Sequence, residues 1–213
     1  GNIDFVVYGY MNCGDYEGSV GIILYSYDSK KNQINERIYL PLETSFQQLK
    51  EDFGDFCYVN RKNVFYFSLY DRVYAYNITS RQYTVLTRNA SSSNFAMLEK
   101  AKCFVWSNAT SQKPATRITI LDLETEQSRT ISAKNNQSIK VLGAIDSSVV
   151  YGFVRNSDIY NSQEGERISP VYKLIIADSH GDILKEYETK NVYIIKTVVD
   201  KDIIQLKRVR KIG

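Results

Sequence analysis

His180 is the only histidine in the chain, and an imidazole is the usual base of hydrolytic catalysis and a frequent metal ligand. It stands in Asp178-Ser179-His180-Gly181-Asp182, a run that reads as a hairpin turn. A catalytic triad needs its base held by a buried carboxylate beside a nucleophile, and an exposed turn supplies neither. The expectation is a surface turn residue, and histidine-dependent hydrolysis and His-rich metal sites fall with it. Carboxylate chemistry asks for less, because two acids roughly 5–10 Å apart suffice for glycoside hydrolysis. Two segments carry acids beside aromatics: residues 12–19, with Asp15, Tyr16 and Glu17, and residues 155–169, with Arg155, Asp158, Tyr160, Glu164 and Glu166. Of these, Asp15, Tyr16, Glu17, Arg155, Asp158 and Tyr160 are the candidate ligand-binding residues, combining aromatic faces for stacking with charges for polar groups. No residue is assigned a catalytic role.

Other chemistries find little support. Cys13, Cys57 and Cys103 are three and far apart, which fits neither a disulfide framework nor a C-x-x-C metal pair. Cys57 and Cys103 lie in apolar strand-like runs and are expected to be buried thiols. Asp15-Tyr16-Glu17 and the run from Asp178 to Asp182 place oxygens at alternate positions as calcium would want, but neither fills the twelve-residue frame of an EF-hand. The phosphate-cradling patterns G-x-G-x-x-G and G-x-x-x-x-G-K do not occur. No cofactor and no metal are expected.

Strands must position these residues. The 213 residues include 17 Tyr and 9 Phe, with 43% apolar and 24% charged residues and three prolines, a balance that favours β structure. Val6-Val7-Tyr8-Gly9-Tyr10 recurs as Val149-Val150-Tyr151-Gly152-Phe153, with weaker copies at Val64-Phe65-Tyr66-Phe67 and Cys103-Phe104-Val105-Trp106. After each copy a polar loop leads to a second strand that ends on Asp28, Asn77, Asp122 or Asp178, spaced by 49, 45 and 56 residues. Asp and Asn suit that place because their side chains bond to the backbone of the turn they open. A more polar strand follows each anchor, and an apolar strand (56–59, 95–98, 141–145, 193–199) precedes each following copy. The units hold three, four, four, four and two strands, about seventeen in all. Residues 45–53 break the pattern: Phe46, Leu49, Lys50 and Phe53 share a helical face, and Ser45 with Gln48 forms a capping-box signature, predicting one short helix.

Repeats of this length and strand count resemble the β-propeller superfamily across nearly the whole chain. The Gly-His and Trp-Asp pairs of WD40 repeats, the kelch double glycine and the sialidase box are absent, so no functional residue carries over from those families. The Val-Tyr-Gly copies and the run 172–187 look like propeller segments of uncharacterised surface or membrane-anchored proteins of Gram-positive anaerobes. That resemblance implies an all-β, propeller-like fold of four to five blades of four antiparallel strands, as one domain over 1–213 or as a segment of a larger propeller. It also implies an extracytoplasmic setting, at the cell surface or anchored through parts of a parent chain, and it supplies no catalytic residue. Gly1 at the start and Ile212-Gly213 straight after a strand pattern read as the ends of such a segment.

Charge narrows the partners. The chain carries +3 overall, residues 201–213 (Lys201, Lys207, Arg208, Arg210 and Lys211 against Asp202) +4, and the remaining 200 residues −1. A near-neutral body lacks the broad basic face that phosphate backbones require, so nucleic acid is not expected. The basic tail reads as a guarded strand edge. No apolar run approaches the ~18 residues of a spanning helix, so no membrane span is expected. The expected function is a non-catalytic binding module or scaffold of a larger exported bacterial protein, contacting protein or glycan. The alternative is a fragment of a carbohydrate-active enzyme with an acidic central site. Tyr8, Tyr10, Tyr66, Tyr74, Tyr76, Tyr151 and Tyr172 fall on predicted middle strands and are expected to serve packing. Tyr16 and Tyr160, on the two long loops, are the aromatics left for function.

Overall fold

The structure, a computed structural model, describes residues 2–88, 94–110, 112–200 and 203–210. Among these residues the structure is all-β with one α-helix, and the chain divides into two compact units, Gly1–Arg88 and Asn89–Gly213. The first unit opens with an antiparallel meander of β1 (Asn2–Tyr10), β2 (Val20–Asp28) and β3 (Gln33–Leu42). After α1 (Phe46–Asp52) comes a four-stranded meander of β4 (Phe53–Val59), β5 (Val64–Leu69), β6 (Arg72–Asn77) and β7 (Gln82–Thr87). The second unit holds a four-stranded meander of β8 (Phe95–Leu98), β9 (Cys103–Ser107), β10 (Arg117–Asp122) and β11 (Ser128–Ser132). A larger sheet follows, with β12 (Gln137–Ile145), β13 (Ser148–Arg155), β16 (Val171–Ala177) and β17 (Ile183–Glu188) in meander order. A single pair, Val171 with Ile194, joins it to the hairpin of β18 (Val192–Asp200) and β19 (Ile203–Arg210). The small ribbon of β14 (Tyr160–Asn161) and β15 (Arg167–Ile168) adds two strands inside a segment read from sequence as a loop.

The turn anchors do what their chemistry predicts, four times over. The Asp28 carboxylate accepts from the backbone N–H of Lys30 and Lys31, and the Asn77 amide oxygen from Thr79 and Ser80. Asp122 accepts from Glu124 and Thr125, and Asp178 from His180 and Asp182. Each turn then passes through one left-handed residue: Asn32, Arg81, Glu126 or Gly181. Three of these are not glycine, a conformational cost that the anchoring hydrogen bonds offset.

Burial falls from middle to last strand. Every residue of β5 is buried, whereas β7, β11 and β17 are mostly exposed. A strand buried on both faces needs a neighbour on each side of its sheet, and within the second unit those neighbours are visible. Val149, Tyr151, Ile175 and Ala177 share a core with Val105, Ile118 and Ile120 of the preceding sheet. From the opposite face, Val150, Val154, Val171 and Leu174 pack with Ile194, Ile204 and Leu206 of the β18–β19 hairpin. In the first unit, Ile22, Leu24 and Ile38 meet Phe65, Phe67 and Leu69, with Leu49 of α1 in the same core. The glycines of the two strong repeat copies have different reasons. A Cβ on Gly152 would stand 2.5 Å from Val171 Cγ1, while Gly9 has φ +151°, which L side chains rarely adopt.

The helix begins as its cap predicts, with Ser45 Oγ accepting from Gln48 N–H at 3.2 Å. The reciprocal half of the box does not form, because the Gln48 amide donates to Asp52 at 2.7 Å. Leu49 is the buried residue of the stripe, and Phe46 is exposed. Phe53 leaves the helix to open β4 and sets its ring 4.5 Å from Tyr8. Among the described residues no helix is long and apolar enough to cross a membrane. Of the basic tail, Lys207, Arg208 and Arg210 lie exposed on β19, the last strand of its sheet; Lys201, Asp202 and Lys211 lie outside the described residues.

Two expectations need correction. Tyr66 and Tyr151 are 2% exposed and do serve packing, but Tyr8 is 37% and Tyr10 56% exposed, on a strand that among the described residues pairs with β2 alone. Cys57, expected inside, is exposed, as is Cys13; Cys103 is buried. Like β1, β4 is the first strand of its sheet, so an apolar run does not suffice to bury it.

Burial, and after it the Asp122 carboxylate, push the Cys103 thiol up from 9.0 to about 11. A raised thiol pKa means the folded state favours the neutral form, so its contribution to stability is full below pH 9 and is lost as the pH rises towards 11. The expected outcome is a fall in unfolding free energy over that window that is shallower in Cys103→Ala, measured by urea melts at several pH values. The turns make a second expectation. Asp122→Ala removes two acceptor interactions and lowers stability by about 1–2 kcal/mol, whereas Asp122→Asn, which keeps the oxygen, costs less than about 0.5 kcal/mol.

Candidate functional site

The two long loops join topologically equivalent strands, β1 to β2 and β13 to β16, yet they differ in what they do with their side chains. Residues 12–19 are closed at the base by Met11 N–H donating to Ser19 O at 2.8 Å and Gly18 N–H to Met11 O at 2.9 Å. Within this closure the Tyr16 ring stacks on Tyr39 of β3, centroids 3.8 Å apart. Its hydroxyl donates to Glu36 at 2.6 Å, and Ser19 Oγ lies within hydrogen-bond reach of both the Tyr16 carbonyl and the Tyr39 hydroxyl. The hydrogen bond to the Glu36 carboxylate pushes the Tyr16 phenol up to about 12. Tyr16 thus pins the loop to its own sheet, while Asp15 and Glu17 remain exposed.

The second loop builds a cleft. After β13 the chain makes one 3-10 turn, Asn156–Asp158, closed by Ile159 N–H to Asn156 O. It then forms the β14–β15 ribbon, tightened by Gly165 N–H donating to Ser162 O at 3.0 Å. Arg155, the last residue of β13, lays its guanidinium over the Tyr172 ring, 3.8 Å from the centroid. It stands 3.9 Å from both Asp158 and Glu188 and donates to the Tyr193 hydroxyl at 3.4 Å. Planarity and weak hydration let arginine serve an aromatic face and two carboxylates together, which a lysine would not. Beside this cluster, Asp158, Ile159, Tyr160, Tyr193, Val209 and Arg210 line a cleft of about 340 Å³. Its size falls at the lower end for small-molecule sites, and its mixture of apolar wall and few polar groups is the usual one.

Of the sequence candidates, Arg155, Asp158 and Tyr160 come together in this cleft or at its edge, and Asp15, Tyr16 and Glu17 belong to the other loop, in the other unit. Asp158 is the one carboxylate among the lining residues, and it faces Arg155. Glu166 N–H donates to Ser162 Oγ in the ribbon turn, and the Glu164 and Glu166 side chains are exposed. Sequence reading missed Tyr193, Val209 and Arg210, which were read as an inner strand and a guarded edge. The signal for Tyr193 was its place opposite Val209 in the β18–β19 register, which no local motif encodes. Among the described residues no group of three His, Cys, Asp or Glu side chains converges. His180 is exposed in its turn, its Nδ1 3.9 Å from the Asp178 carboxylate that caps the same turn. Trp106 is half-buried and stacked on Phe104 at 5.4 Å.

Arg155 holds the cleft's edge, so Arg155→Lys should loosen it. Loss of the planar contact with Tyr172 is expected to cost about 1 kcal/mol, discounted for its partial exposure. Faster amide exchange confined to residues 156–168, with the β8–β11 sheet unchanged, is the measurement that checks it.

No protein-family profile matches the chain, and no curated protein matches it. Among solved structures it is similar to the extracellular domain named as belonging to a one-component system of B. thetaiotaomicron, at TM-score 0.38 and 13% identity, over 88% of this chain and 24% of that one. It is also similar to Porphyromonas gingivalis dipeptidyl peptidase 4, at TM-score 0.29 and 9% identity, over 90% and 39% of the two chains. A chain of the mitotic checkpoint complex matches at TM-score 0.30 and 5% identity, over 84% and 62%. The chain therefore spans between about a quarter and three fifths of the length of these proteins.

Proposed function

We propose that the chain is a non-catalytic binding module of a larger exported protein, its meanders the blades of a propeller-like array over residues 1–213, and that the Arg155–Asp158–Tyr160 cleft is where it takes its ligand. The observation that carries this reading is the cleft itself: two tyrosines, an arginine and an arginine-paired aspartate on a wall of Ile159, Pro170 and Val209. Tyrosine faces stack on sugar rings and on peptide side chains alike, and the fixed charges read orientation. A glycan or peptide segment of a surface partner fits this chemistry. The stacked sheets support a rigid platform, and the resemblance to propeller segments of surface proteins supports export. Hydrolysis would ask for a second carboxylate opposite Asp158, and Asp158 is the one carboxylate among the lining residues.

The test is binding of the protein to arrays of immobilised neutral and acidic oligosaccharides and of peptides, beside Tyr160→Ala and Arg210→Ala. The expected result is retention on one ligand class that falls about tenfold or more in either variant. Retention that both variants keep would move the ligand elsewhere. Release of reducing sugar that stops in Asp158→Asn would replace the binding module by an enzyme.

A further inference from the structure

A smaller cleft of the Asn89–Gly213 unit, about 160 Å³, opens between the β9–β10 loop, β12 and the end of the β14–β15 ribbon. Three cations line it, Lys113 from the loop, Lys140 from β12 and Arg167 from β15, and neither Asp nor Glu is among the lining residues. Among the described residues none of the three is held in an ion pair. Ser138 of β12 lines the same cleft and is 2% exposed. A hydroxyl buried this far ordinarily finds a partner, yet among the described residues that of Ser138 has none. Ser107, 3% exposed in the same lining, accepts from Ala109 N–H at 3.4 Å and keeps its own proton for a further acceptor. The loop that carries Lys113 is fixed in place. Thr110 N–H donates to Lys113 O at 2.9 Å and Lys113 N–H to Thr110 Oγ1 at 3.0 Å, and Asn108 Oδ1 accepts from the N–H groups of Thr116 and Arg117. Ile139 N–H donates to Ala115 O at 2.9 Å, which ties the loop to β12.

We propose that this cleft is a site for one tetrahedral oxyanion, a phosphate or a sulfate, either free or as the ester of a small molecule. It is separate from the Tyr160 cleft and does not depend on the function proposed for that cleft. Charge sets the sign of the ligand. Three like charges around one small space repel one another unless an anion lies among them. Lys140 is exposed along its chain, but the protein around its ammonium strips water from it and lowers its pKa below the ordinary value, a loss that a bound anion reverses. Donor type sets the shape. An arginine fork, two ammonium groups and serine hydroxyls from three chain segments suit oxygens that point in several directions, as those of a tetrahedral group do. Size sets the extent. Pockets for organic ligands run from roughly 300 to 1,000 Å³, and at about 160 Å³ this one takes a charged group and little beyond it.

Isothermal titration calorimetry at constant ionic strength in sodium chloride tests this, with inorganic phosphate, inorganic sulfate and a hexose 6-phosphate as probes. At least one should bind saturably, one per chain, with Kd under about 1 mM. Its affinity should fall about tenfold or more in Arg167→Ala and in Lys140→Ala. Binding of the inorganic ions marks a free-ion site, and binding of the ester alone marks an esterified ligand. Ser138→Ala separates binding from folding. Removing a buried hydroxyl that has no partner should leave the melting temperature of the free protein unchanged or higher, while weakening the anion about threefold or more. Lys30→Ala, in a turn of the other unit, should keep the affinity within about twofold, since diffuse surface charge is screened. The proposal is overturned by no saturable binding up to about 10 mM, by an equal loss in Lys30→Ala, by affinity kept in both Arg167→Ala and Lys140→Ala, or by a Ser138→Ala variant that binds as well as the unsubstituted protein.

Discussion

A sheet buried on both faces cannot exist alone, and this constraint organises the molecule. Each middle strand is written without polar alternation, so that both of its faces demand an apolar neighbour. In the second unit β13 meets that demand by having one sheet against Val149 and Tyr151 and a hairpin against Val150 and Val154. Within each unit the two sheets stack on a shared apolar core. Outer strands escape the constraint and are correspondingly polar. The same logic applies to β1, which among the described residues pairs with β2 alone and carries exposed apolar residues.

The hairpins keep this stacking in register at little cost in sequence. One side-chain oxygen at the end of the third strand satisfies two backbone donors in the turn, and a left-handed residue then reverses the chain. Because the device is local, four copies can diverge in every other residue and still turn alike. The two long loops follow β1 and β13. One of these spends its tyrosine on holding itself down; the other leaves Tyr160 exposed over a cleft.

Legibility tracked the range of the interaction. The strands β8 and β11, the helix cap at Ser45 and all four turn anchors were readable because each is decided within a few residues. The β14–β15 ribbon was not, since its two-residue strands carry no period. Tyr193 and Arg210 were missed as partners of Asp158 and Tyr160 because they lie some 30 to 50 positions further along the chain, and only the packing of the β18–β19 hairpin against the preceding sheet brings them to the loop.

Sequence alone determined that the chain is all-β and where its four anchored hairpins turn, because composition, period and turn chemistry are local properties. Tertiary structure decided which of two similar acidic loops forms a cleft and which apolar strands are covered. Tyr16 stacks on Tyr39 of its own sheet, whereas Tyr160 is 52% exposed at a cleft. Cys57 and Cys103 stand in similar apolar runs, yet one belongs to the first strand of its sheet and the other to a middle strand with neighbours on both sides. Burial depends on what lies across the sheet, and a residue's own neighbours in the chain do not carry that information.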